Sequence, residues 1–230
     1  MTSPVFCPID VPDLAAAQDM SRKVAPHVGG LKLGLEFFVA NGPSGVREIA
    51  KLGKPIFLDL KLHDIPNTVA GAVRSAAELG IEYLTIHTSG GPAMLKAAAE
   101  AAAGRVKLLG VSVLTSLDDA DLVVVGQQGP VATQVGRLAK LAQECGLDGL
   151  ICSPVEIALV RMCCGTGFTL MVPGIRPPGS DAGDQKRVMT PAEAMKAGAD
   201  WLVIGRPITA APDPAEAARA INAGLEGIAA

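Results

Sequence analysis

Apolar positions along the chain follow two rhythms. Short runs rich in Val, Ile and Leu stand at residues 5–9, 31–34, 56–60, 83–87, 107–114, 149–152, 169–172 and 201–205. Between them lie alanine-rich stretches of helical periodicity, at 13–28, 44–52, 67–79, 92–103, 131–144, 154–163, 190–197 and 214–229. A short, continuous apolar run predicts a strand buried on both faces, and regular interleaving with helices predicts repeated βα units in a parallel sheet. Several helical stretches open on Pro and close on Gly, as helix ends favour. Eight such pairs in 230 residues predict one domain, residues 1–230, built as a single α/β (β/α)8 TIM barrel with parallel strands.

A doubly wound open sheet would share the alternation, but no GxGxxG follows the first run and no second composition zone marks an added domain. Pro8 falls inside the first run, and because proline cannot donate to a ladder, that strand is expected to be short or irregular.

Polar residues gather where the apolar runs end: Asp10, Lys32, Asp59 with Lys61, His87, Thr115 with Ser116, Pro173 with Gly174, and Gly205 with Arg206. In a parallel barrel these ends form one rim, where barrel enzymes place their sites. In Phe57-Leu58-Asp59-Leu60-Lys61-Leu62-His63-Asp64 a strand period of two sets Asp59 and Lys61 on one face, with Asp64 in the loop beyond. Opposite charges at close range favour the ionised forms of both partners, so Lys61 could serve as a proton donor. Lys32 adds a second cation and offsets the repulsion between carboxylates. Surface salt bridges would be the plain alternative, each worth little. Charges on otherwise apolar barrel strands are costly, however, and point to a site.

The segment from Pro173-Gly174-Ile175-Arg176-Pro177 to Gly183-Asp184-Gln185 is a long, glycine-rich loop after the seventh run, and Ile204-Gly205-Arg206-Pro207 follows the eighth. Loops of this length in compact domains are usually functional, and this corner of a barrel commonly holds phosphate. Two arginines there favour a phosphorylated substrate.

Composition narrows the rest. A net charge of −3 offers no basic field for nucleic acid or anionic lipid, and no apolar stretch approaches the roughly 20 residues that span a bilayer. With no export signal at the N-terminus, a cytoplasmic protein is expected. Five cysteines without paired CxxC spacing predict reduced thiols, and three dispersed histidines form no metal motif. His63 is expected to pack or to make a supporting hydrogen bond, His87 to stand near the site, and Met94, Met162, Met171, Met189 and Met195 to serve as packing residues.

Asp59-Leu60-Lys61-Leu62-His63-Asp64-Ile65-Pro66-Asn67-Thr68 carries a DxKxxDIPxT pattern, and with the loop from Pro173 to Arg187 and the Ile204-Gly205-Arg206-Pro207 segment it resembles the orotidine 5′-monophosphate decarboxylases of pyrimidine synthesis. The likeness spans nearly the whole chain. It implies decarboxylation of orotidine monophosphate to uridine monophosphate without metal or cofactor, Lys61 protonating the C6 carbanion within a Lys32, Asp59, Lys61, Asp64 array. By the same resemblance, Lys32 and Asp10 contact ribose and Asp59 sits beside the departing carboxylate. Thr115 or Ser116 meets the pyrimidine, Gln185, Gly205 and Arg206 hold phosphate, and Arg176 belongs to the binding loop. Asp64, Ile65 and Thr68 would reach into a partner's site, making a homodimer with shared active sites. A magnesium-dependent sugar-phosphate decarboxylase or aldolase shares the DxKxxD core, but the Ile65-Pro66-Asn67-Thr68 continuation and the Gly183-Asp184-Gln185 loop argue against it. A silent nucleotide-binding barrel would gain nothing from so costly a charge cluster.

Overall fold

A computed structural model describes residues 3–178 and 188–227. Its strands are β1 (Val5–Pro8), β2 (Gly30–Gly34), β3 (Ile56–Leu62), β4 (Tyr83–His87), β5 (Lys107–Val111), β6 (Gly149–Ile151), β7 (Thr169–Val172) and β8 (Trp201–Val203). They pair in parallel in chain order and β8 returns to β1, so the barrel is closed. Helices α1 (Leu14–Val24), α2 (Leu35–Ala50), α3 (Pro66–Ala77), α4 (Gly91–Ala102), α5 (Asp119–Val124), α6 (Val131–Glu144), α7 (Ile157–Cys164), α8 (Pro191–Ala197), α9 (Arg206–Thr209) and α10 (Pro214–Ala223) fill the connections.

Local chemistry explains most of these boundaries. Asp13 caps α1 by accepting the Ala16 N–H, Thr190 and Glu193 close a capping box on α8, and Pro66 opens α3 where no N–H is needed. Three departures from the sequence reading have physical causes. Helix α2 begins nine residues early, at Leu35 rather than 44, because a break at Gly42 (φ 58°), followed by Pro43, masks its first turns. Helix α5 is short, exposes Val123 and Val124 and the capping Val125 that follows, and is held by the Asp118–Asp121 capping box. The four-residue α9 starts directly off Gly205 and is too brief to show a period. Met162 is 79% exposed, so it does not pack as expected, whereas Met94 and Met171 are fully buried.

Strand alternation sorts side chains into two cores. Outward residues such as Cys7, Leu31, Leu33, Leu58, Leu84 and Ile86 pack under the helices. Inward residues Phe6, Phe57, Tyr83, Leu109, Met171 and Val203 fill the barrel, with Ile151 and Trp201 against them. Phe6 meets Phe57, Tyr83 and Trp201 edge to face at centroid distances of 6.2, 5.7 and 5.2 Å. Gly30 makes room for this cluster, since a Cβ there would lie 2.2 Å from the Phe6 ring. Pro8 ends the four-residue β1, where its missing N–H breaks no further ladder, and the ladder continues with the Ile9 N–H donating to the Lys32 carbonyl.

Candidate active site

The layer above the aromatic floor is charged. Lys32 on β2 lies 3.1 Å from Asp10 Oδ1 and 3.7 Å from Asp59 Oδ2, and Lys61 Nζ donates to Asp59 Oδ2 at 2.8 Å. The order Asp10, Lys32, Asp59, Lys61 therefore alternates in sign across three neighbouring strands. Asp59 and Lys32 side chains are only 13% and 11% exposed, which removes these from the class of solvent-screened surface pairs. Burial pushes the Asp59 carboxyl upward, but Lys32, Lys61 and hydrogen bonds from Lys61 and Thr85 outweigh it and hold its pKa below the usual carboxylate value.

Lys61 does not reach this position by simple alternation. The β3–β4 register shifts between Leu58 and Leu62, and Lys61 takes φ 49°, a left-handed conformation uncommon for a residue with a Cβ. Such strain is tolerated where surrounding contacts fix it. Here the Lys61 N–H donates to Thr85 Oγ1 at 2.9 Å, and that hydroxyl donates to Asp59 Oδ1 at 2.9 Å. Sequence reasoning missed Thr85, although its place two residues before His87 on an apolar strand put a polar group on the inward face. It also missed Gly34: a Cβ there would lie 2.7 Å from Asp10 Oδ1 and 3.0 Å from Lys32 Nζ.

A cavity of about 200 Å³ opens beside the array. Lys32, Asp59 and Lys61 form one side, and Val111, Val113, Ile151, Pro173 and Val203 form an apolar wall opposite. Thr115 lines the cavity, while Ser116 is exposed and does not. His87 stands at the rim with its ring 5.4 Å from that of His63. Burial first, then the charges of His63 and Lys61, lower the His87 pKa against the pull of Asp59.

The remaining candidates are distributed around the rim. Asp64 does not join the array within the chain: it is exposed and its carboxylate accepts the Ile65 N–H at 2.7 Å, because the polypeptide has already turned away toward α3. Ile65 and Thr68 are exposed at the start of α3, Ile65 by 68%. Gly205 packs against Pro8, and Arg206, exposed, opens α9. Arg176 is buried; its Nη1 donates to the Ile175 carbonyl and its N–H to Met189. Gln185 lies outside the described residues. Among the described residues no group of three His, Cys, Asp or Glu side chains is placed to hold a metal ion, and no helix is long and apolar enough to cross a membrane.

The family model described as "Orotidine 5'-phosphate decarboxylase / HUMPS family" matches residues 3–221. The chain belongs to this family. A protein of Anaeromyxobacter sp. (strain K) named orotidine 5'-phosphate decarboxylase is 58% identical over 217 residues, covering 94% of this chain and 96% of its own length. A protein of the same name from Paramagnetospirillum magneticum is 54% identical over 233 residues, covering 98% and 99%. Among solved structures, orotidine 5'-phosphate decarboxylase from Lactobacillus acidophilus superposes with a TM-score of 0.86 at 36% identity, covering 98% of this chain and all of that one. That from Pyrococcus horikoshii OT3 gives 0.79 at 26% identity, covering 97% of this chain and all of its own. Family membership and barrel architecture therefore agree.

Proposed function

We propose that this chain decarboxylates orotidine 5′-monophosphate to uridine 5′-monophosphate, with Lys61 as the proton donor to the C6 carbanion. The observation that carries the reading is the Lys32–Asp59–Lys61 array, Lys32 buried and Asp59 and Lys61 partly so, on one side of a small cavity whose opposite wall is apolar. The family's named relatives supply the reaction; the geometry supplies a way to perform it.

A pyrimidine carbanion with no electron sink must be stabilised by charge fixed before reaction. Lys61 lines the cavity and its Nζ is held by Asp59, whose second oxygen is held by Thr85, so the ammonium needs little reorganisation when the C6–carboxylate bond breaks. The proton on Nζ passes to C6 as carbon dioxide leaves. The base would lie against Val111, Ile151 and Val203, with Thr115 in reach of its polar edge, and Lys32 with Asp10 would meet the ribose. Gly205 and Arg206, with Gln185, would take the phosphate. Binding energy from that remote group can be used to dehydrate the array, which raises the rate as well as the affinity.

Asp64, Ile65 and Thr68 fit a homodimer in which each subunit completes the other's site, a reading supported by an exposed isoleucine beside an exposed carboxylate at the start of α3. Sedimentation of a stable monomer under assay conditions would remove it. The reaction itself is tested by the fall in ultraviolet absorbance when the purified chain meets orotidine monophosphate with chelator present and no added metal. Rapid formation of uridine monophosphate is expected; a folded protein giving none would overturn the proposal in favour of magnesium-dependent sugar-phosphate chemistry.

A further inference from the structure

We infer that Thr85 is a positioning residue for the proton donor, an inference that rests on the decarboxylase reading above. Between the paired positions Leu58↔Leu84 and Leu62↔Ile86, β3 carries Asp59, Leu60 and Lys61 while β4 carries Thr85 alone. One residue therefore stands opposite a three-residue bulge, and the regular ladder cannot supply each of the three with a backbone partner. Thr85 supplies a replacement from its side chain: Oγ1 accepts the Lys61 N–H at 2.9 Å and donates its own proton to Asp59 Oδ1 at 2.9 Å.

Both contacts are specific to a hydroxyl. It has one proton and can accept at the same time, so a single buried atom fixes the backbone from which Lys61 departs and the rotamer of the carboxylate that faces its ammonium. With Oδ1 held by Thr85, Oδ2 is left to face Lys61 at 2.8 Å and Lys32 at 3.7 Å. Thr85 itself is fully buried and does not line the cavity, whereas its hydrogen-bonded partners Lys61 and Asp59 do, so it acts through them rather than on substrate. The left-handed φ of Lys61 is the conformation that this arrangement stabilises.

The test compares Thr85→Val, which keeps the branched shape and removes the hydroxyl, with Thr85→Ser, which keeps the hydroxyl. For Thr85→Val, kcat should fall about 100-fold, the loss that misplacing a reacting group by about 1 Å produces. KM for orotidine monophosphate and the dissociation constant for uridine monophosphate should change less than about threefold, since substrate contacts remain. Thr85→Ser should recover most of kcat, and amide hydrogen exchange at Lys61 should be faster in Thr85→Val than in wild type or Thr85→Ser. A Thr85→Val enzyme with near-normal kcat, or a Ser variant as impaired as the Val variant, overturns the assignment. If Thr85→Val does not fold, Thr85→Ala takes its place against Thr85→Ser under the same criteria. Wild-type protein without decarboxylase activity would sink the functional reading alone, and exchange at Lys61 would then decide Thr85: unchanged rates in the Val variant refute its role.

Discussion

At the floor of the barrel Phe6, Phe57 and Tyr83 meet edge to face; two residues further along the same strands stand Pro8, Asp59 and Thr85. Both layers point inward and both are largely shielded from water, yet one is held by apolar contact and the other by opposed charges. The floor stabilises the closed sheet: aromatic rings there gain dispersion and leave no polar group unpaired. The charged layer is a poor source of stability, because desolvating an ion pair offsets most of its attraction. On the proposed reading, its role is what it does to a bound molecule. The comparison teaches that one architectural period serves two ends, and that stability and activity should separate when the layers are changed independently.

The sharpest separation is expected at Lys61. Lys61→Ala should lower turnover by about 10⁴-fold, the upper range for loss of a general acid, while uridine monophosphate binding stays measurable by calorimetry. Retention of near-normal turnover would refute the proton-donor role. The converse change lies one layer down: Phe6→Ala should destabilise the fold by about 3–5 kcal/mol in urea titration, with kcat per folded molecule little altered. A smaller effect is expected from Gly34→Ala. The atoms nearest its Cβ are side-chain ends of Asp10 and Lys32, not backbone, so the fold should tolerate it while the array shifts, lowering kcat/KM by about 10-fold with an unchanged unfolding midpoint.

The smallest effect concerns acid. Because the folded Asp59 carboxyl lies below its ordinary value of about 3.9, its contribution to stability is fully present above that value and is lost as pH falls through the lower folded one. Wild-type stability should therefore decline below about pH 4 more steeply than that of Asp59→Asn. Parallel acid curves would mean that the array contributes nothing to this dependence.

The sequence by itself was informative wherever a local pattern carries the physics. Strand and helix alternation gave eight βα units, and the observed strands begin within one residue of the expected starts. Polar residues at strand ends marked Lys32, Asp59, Lys61 and Thr115 as candidates for the rim, because the end of an inward-facing strand has one place to go in a parallel barrel. The helix expected at 44–52 lacked the first turns of α2, which lie before Gly42-Pro43, since local breakers are visible while the packing that bridges them is not.

What tertiary structure alone decided is how those candidates meet. A period of two cannot announce a register shift between β3 and β4, so although the alternation puts Thr85 on the inward face, neither the left-handed backbone of Lys61 nor the hydrogen bond by which Thr85 holds it could be read in advance. Nor could the sequence tell that Asp10, rather than Asp64, is the second carboxylate of the array within the chain. The periodic features are set by interactions between near neighbours, which composition encodes directly. The site depends on side chains from strands that begin about 25 residues apart, and their distances exist only once the barrel has closed.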